Sequence, residues 1–122
     1  MPPNPTGPTN IQLRMLIRFL KKAAKSNDAP IWAYVAELLS KPRRQRAAVN
    51  LAKLNGLVND GDVVVIPGKL LGYGDLQKRV TIAAVGASKR AVEIVLKSGG
   101  QLVSIPELIK KNPKGSNVKV II

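Results

Sequence analysis

An α/β fold, with helices in the N-terminal half and a mixed β/α C-terminal half, follows from three features of the 122-residue chain. Apolar residues recur at helical spacing over residues 13 to 24. Two runs rich in β-branched residues, DVVVIPG and RVTIAAVG, read as buried strands, and an amphipathic stretch, ASKRAVEIVLKSGG, follows the second directly. The length supports one domain, expected over residues 9–122, with a helical part at 9–57 and a β/α part at 58–122. Hydrophobic residues make up 45% of the chain but aromatics only 3%, so the core must be built mainly from Leu, Ile, Val and Ala. Trp32 and Phe19 are its only large rings apart from tyrosine.

Pro2, Pro3, Pro5 and Pro8 disfavour helix and central strand, so residues 1–8 read as a flexible leader, with an extended arm ordered by a partner as the alternative. Thr9 and Gln12 have the spacing of a capping box, and Leu13, Leu16, Ile17, Leu20 and Ala24 form the apolar face of a first helix over roughly 10–25. Its polar face carries Arg14, Arg18, Lys21 and Lys25 in one cationic stripe without interleaved acids. Such a stripe is either a solvated face or a polyanion contact. Asp28 is expected to cap a second helix with Pro30 in its first turn and Ile31, Trp32, Val35, Leu38 and Leu39 buried.

KPRRQRAAVNLAKL, residues 41–54, is expected to form a third helix, opened by Pro42 and ended near Asn55-Gly56. Lys41, Arg43, Arg44 and Arg46 would then crowd the helix end whose dipole is already positive, which calls for an anion from outside the chain. At 100° per residue Arg43, Arg46, Asn50 and Lys53 would share the outward arc, beside an apolar strip of Ala47, Leu51 and Leu54. NDGD is a turn signal, after which DVVVIPG is a strand stopped by Pro67-Gly68. KLLGYGDLQK is a glycine-containing loop, RVTIAAVG a second strand, and Ser88 opens a helix closed by Gly99-Gly100. QLVS is a short strand. Ser104 and Glu107 form a capping box for a helix to about Lys111, NPKGSN is a loop, and VKVII is a terminal strand.

Twenty Lys and Arg against seven Asp and Glu give a net charge of +13. The excess is spread over the chain, +8 in residues 1–53 and +5 in residues 54–122, which describes a basic domain whose partner is a polyanion. The chain has no Cys and no His, which removes thiolate chemistry and the commonest acid-base group. Asp60 and Asp62 are the only close carboxylate pair and read as turn formers rather than metal ligands. Gly68, Gly72 and Gly74 fail both phosphate-loop spacings, since Gln77 stands where a third glycine is needed and no Ser or Thr follows Gly68-Lys69. No enzyme, cofactor, metal site or small-molecule substrate is expected. No apolar run is long enough to span a bilayer, so a soluble cytoplasmic protein without a membrane partner is expected.

The chemistry that remains is phosphate recognition. Arg43, Arg44 and Arg46 offer guanidinium forks, and Lys41, Lys53, Lys69, Lys78, Lys110, Lys111 and Lys114 offer point charges. So few rings argue against a base-stacking platform and for recognition of backbone and shape in folded RNA. Tyr73, between two glycines, is the one ring suited to stacking.

Taken together, KPRRQRAAVNLAKLN, DGDVVVIPGKLLGYGDL and VTIAAVGASKRAVEIVLKSGGQLVSIPELIKKNPKGSNVKVI resemble the L-eighteen-e family of archaeal and eukaryotic large-subunit ribosomal proteins. That family is related in its C-terminal half to the bacterial L-fifteen proteins. The resemblance covers residues 9–122, and the short C-terminus looks archaeal. It implies a non-enzymatic, cofactor-free constituent of the large ribosomal subunit that binds large-subunit ribosomal RNA beside neighbouring ribosomal proteins. It also implies a C-terminal fold of irregular β-β-α turns in a superhelix. RNA contact is implied for Lys41, Arg43, Arg44, Arg46, Lys69 and Tyr73, and through Lys114 for the NPKG segment. An assembly factor or free RNA-binding protein is the alternative.

Overall fold

A computed structural model describes residues 11–40 and 47–122. Among the described residues, five helices and five strands follow one another in the order α1 (Ile11–Ser26), α2 (Pro30–Leu39), β1 (Ala47–Asn50), α3 (Leu51–Leu57), β2 (Val63–Leu71), β3 (Thr81–Ala87), α4 (Lys89–Lys97), β4 (Gln101–Val103), α5 (Ile105–Lys111) and β5 (Val118–Val120). The strands form one parallel sheet in the order β1-β2-β3-β4, and β5 also pairs with β2. This is the α/β architecture that the periodicity predicts.

Helices cover both faces, which is why Val63 to Ile66 read as an unbroken apolar run. Side chains alternate: Val65, Ala83, Val103, Val118 and Val120 meet α1, α2 and α5 on one face, around fully buried Trp32, Leu20, Val35 and Leu39. On the other face Val64, Ile66, Leu70, Ile82 and Leu102 meet Leu51 and Leu54 of α3 and Ala91 and Val95 of α4. Trp32 is core as expected, whereas Phe19 stays 39% exposed.

Three local expectations are corrected. The third helix does not span residues 47–50, which instead form β1, with Ala47–Asn50 in register with Gly68–Leu71. Val49 is thereby fully buried and β2 gains an edge partner, a tertiary gain that outweighs the helical propensity of A-A-V-N. The helix starts only at Leu51, where the Asn50 side chain accepts from Lys53 N at 2.8 Å. Asn50 is therefore a cap, not part of an outward arc. Residues 41–46 lie outside the described residues, as do Thr9 and the leader over 1–8.

Asp28 does not cap α2. It sits at φ +50 in the tight turn from α1, and the cap position is Ala29, which makes no side-chain bond. Pro30 already removes one of the N–H groups that a cap would serve.

The third correction concerns Pro67-Gly68, which do not end the strand. β2 continues to Leu71, so Lys69–Leu71 belong to it rather than to a loop. Val63–Val65 pair with β5 and Gly68–Leu71 with β1 along the same edge, so Pro67, which has no N–H to donate, falls where the partner changes. The register against β3 also slips between Ile66 and Lys69.

The return from β2 to β3 is made by residues 72–80 without a helix, crossing the face that holds α3. Leu76 and Val80 are buried there. The segment is stapled to the end of α3 by Gln77 N to Asn55 Oδ1 (3.1 Å) and by the Lys78 ammonium, and to the turn before β2 by Arg79 N to Asp60 Oδ1 (2.8 Å).

Candidate nucleic-acid interface

β2 and β3 both end at one edge of the parallel sheet, and the loops leaving them meet there. Gly72-Tyr73-Gly74 passes between the starts of α3 and α4. A Cβ on Gly72 would lie 2.7 Å from Arg90 Cβ and 2.9 Å from Ala91 N, and one on Gly74 would lie 2.6 Å from Ala52 N. Gly74 also has φ +93. Only glycine allows this approach, and its result is a hydrogen bond from Ala52 N to the Tyr73 carbonyl oxygen at 3.2 Å. The backbone at Tyr73 is thus held while its ring remains 76% exposed.

Leu71, Gly72, Tyr73, Gly74, Ser88 and Arg90 line a shallow depression at this edge. Ser88 Oγ caps α4, accepting from Ala91 N at 3.3 Å, and Lys89 and Arg90 follow, both exposed, in a first turn that has no acidic residue. They add charge where the helix potential is already positive. Cations at a helix start thus occur in this protein at α4, whereas the KPRRQR segment lies outside the described residues. Sequence reading passed over Lys89 and Arg90. The available signal was S-K-R directly after a strand with no acid nearby.

The other predicted residues separate into groups. Lys69 is exposed on β2, two residues before its end. Lys53 is exposed at the start of α3, where Nζ donates to the Ile122 carbonyl oxygen at 2.6 Å. Arg14, Arg18, Lys21 and Lys25 lie along the exposed side of α1. Lys110 and Lys111 in the last turn of α5, and Lys114 in the loop beyond, are exposed at the opposite end of the sheet, where β5 begins.

Lys78 is different from all of these. Its half-buried Nζ donates to the carbonyl oxygens of Asn55 at 2.7 Å and Val58 at 2.6 Å, satisfying the C-terminal end of α3. Lys41, Arg43, Arg44 and Arg46 directly precede β1 and lie outside the described residues.

Asp60 and Asp62 hold the turn before β2. Asp62 Oδ2 accepts from Asn59 N at 2.8 Å and from Lys119 Nζ at 2.7 Å. The hydrogen bond from Lys119, then that from Asn59, lower the Asp62 pKa below the ordinary carboxylate value. Lys119–Asp62 is the one ion pair among the described residues. No group of acidic side chains able to hold a metal ion occurs among them, and none of their helices is long and apolar enough to cross a membrane.

The family model for ribosomal protein 60S L18 and 50S L18e matches residues 4–122. The chain belongs to this family. It is 57% identical over 122 residues to the large ribosomal subunit protein eL18 of Pyrobaculum aerophilum, a match that covers all of both chains. Its identity to the protein of the same name from Methanopyrus kandleri is 48% over 122 residues, covering 96% of each chain. To that from Archaeoglobus fulgidus it is 41% over 114 residues, covering 93% of this chain and 97% of the relative. These relatives are archaeal, and each is named as a protein of the large ribosomal subunit.

Proposed function

We propose that this chain is a constituent of the cytoplasmic large ribosomal subunit that holds folded large-subunit ribosomal RNA by neutralising backbone phosphates, in contact with neighbouring ribosomal proteins. The observation that carries the reading is the large excess of positive charge that the folded α/β body carries. One ion pair, Lys119–Asp62, occurs among the described residues of a chain with net charge +13. Self-repulsion on that scale opposes the compact state and is relieved by a polyanion.

Two basic regions at opposite ends of the sheet, Lys69, Lys89 and Arg90 with Tyr73 at one and Lys110, Lys111 and Lys114 at the other, suit two RNA segments. The stripe on α1 and the residues Lys41, Arg43, Arg44 and Arg46 extend the same electrostatic contact. Arg and Lys supply affinity through phosphates, and the exposed Tyr73 ring offers one base a stacking surface. Lys78 is already committed to two carbonyls and contributes stability instead.

Affinity for a large-subunit RNA transcript should fall steeply with salt, by about 0.9 in log–log slope per duplex phosphate neutralised. A nearly flat dependence would refute phosphate-dominated recognition. High-salt washing of ribosomal particles tests the role: a constituent stays stoichiometric, whereas an assembly factor is lost.

A further inference from the structure

The segment from Asn112 to Asn117 is built to a fixed shape although it is an exposed loop. Asn112 closes it, with Nδ2 donating to Ser116 O at 2.9 Å and Oδ1 accepting from Ser116 N at 3.2 Å. Gly115 N donates to Asn112 O at 3.0 Å. Gly115 and Asn117 have φ +67 and +61, so two residues are held in the left-handed region. The loop is also fastened to the helical layer 81 residues away in sequence. The indole N–H of Trp32, itself fully buried, donates to Pro113 O at 2.8 Å. Gly115 rests on Ile31 so closely that a Cβ would collide with that side chain.

This construction exposes Lys114 next to Pro113, the residue the indole holds, with Lys110 and Lys111 in the helical turn just before it. The helix dipole accounts for cations at Lys110 and Lys111. It does not account for Lys114, which lies beyond the helix. Nor does the local turn require an anchor from α2. Ordering a basic loop before its partner arrives removes a cost that binding would otherwise bear.

We infer that Trp32 is a positioning residue for RNA binding: through Pro113 it sets the Asn112–Asn117 loop so that Lys110, Lys111 and Lys114 meet backbone phosphates together. This rests on the RNA-binding reading above and assigns part of it to one device. Trp32 touches no RNA, so its effect must run through the three lysines.

The test is a double-mutant cycle read by affinity for a full-length large-subunit RNA transcript at several salt concentrations. K110A/K111A/K114A should bind more weakly, with the log–log salt slope reduced by about two to three. W32F keeps a ring in the core but loses the N–H, and should bind about fivefold more weakly, on the scale of one hydrogen bond. In the triple-alanine background W32F should cost no further affinity, because the lysines it positions are gone. A purely structural role would give the same loss in both backgrounds and would overturn the inference, as would unchanged affinity in W32F. If W32F does not fold, N112A decides, since it opens the loop without touching the core and must show the same dependence on the lysines. Wild-type binding with a triple-alanine variant equal to it would defeat the inference alone, whereas absent or salt-insensitive wild-type binding would defeat the RNA reading itself.

Discussion

Gly74→Ala and Gly56→Ala are the same chemical change, and the structure assigns them opposite signs. Gly74 has φ +93, where an L side chain costs about 1–2 kcal/mol. The new Cβ would also lie 2.6 Å from Ala52 N, a backbone atom that cannot swing away, so the loop must lift from α3. Lifting sacrifices the Ala52 N to Tyr73 O bond, worth about 1 kcal/mol net. Together these predict a loss of about 2–3 kcal/mol, on the order of 10 °C in Tm. Gly56, by contrast, lies within α3 outside the positive-φ region with nothing within 4 Å of its Cβ position, and alanine there should stabilise by about 0.5–1 kcal/mol. Urea unfolding of both variants at one fixed ionic strength measures the contrast. A Gly74→Ala variant within about 0.5 kcal/mol of wild type, or two variants shifted the same way, would refute the wedged-loop reasoning. If the loop also presents Tyr73 to RNA, Gly74→Ala weakens binding further than its stability loss explains, and Tyr73→Ala weakens binding while leaving stability unchanged.

Lys78→Ala should lose about 2 kcal/mol of stability, because two carbonyl oxygens at the end of α3 lose a charged donor, and it should leave the RNA salt slope unaltered in a fluorescence-anisotropy titration. Lys89→Ala with Arg90→Ala should do the reverse, lowering the slope by about two while the urea midpoint holds or rises. The folded-state pKa of Asp62 lies below its unfolded value, so its stabilisation is complete above the ordinary carboxylate range and lost as pH falls through the lower folded value. Thermal melts of wild type and Asp62→Asn, run from roughly pH 6 down to pH 2, should therefore converge on acidification; a gap that persists or widens would contradict the assignment.

The amphipathic periods of α1, α2 and α4 and the serine caps at Ser88 and Ser104 were legible because each depends on residues three or four apart. So was the apolar continuity of β2 and β3, which reports burial on both faces. The strand at Ala47–Asn50 was not, since its cause is Gly68–Leu71, some twenty residues on, and a helix is the better local choice for the same letters. Pro67 misled for a similar reason: it breaks a ladder only where a donor is needed, and the change from β5 to β1 removes that need.

Composition gave the candidate interface its character but not its membership. The charge of +13 and the absence of Cys and His point to a polyanion from the letters alone. Which lysines remain free to meet it depends on what the fold puts within reach of each ammonium. Lys69 and Lys78 look equivalent in the sequence, yet one is exposed on β2 and the other is spent on Asn55 and Val58. By itself the sequence determined the fold class, the family and the strongly positive charge of the chain, because these depend on local periodicity, extended pattern and a sum. Only the tertiary structure decided that Lys89, Arg90 and Tyr73 share one edge and that Trp32 holds the loop bearing Lys114, because hydrogen bonds and close approaches join groups that the chain order keeps far apart.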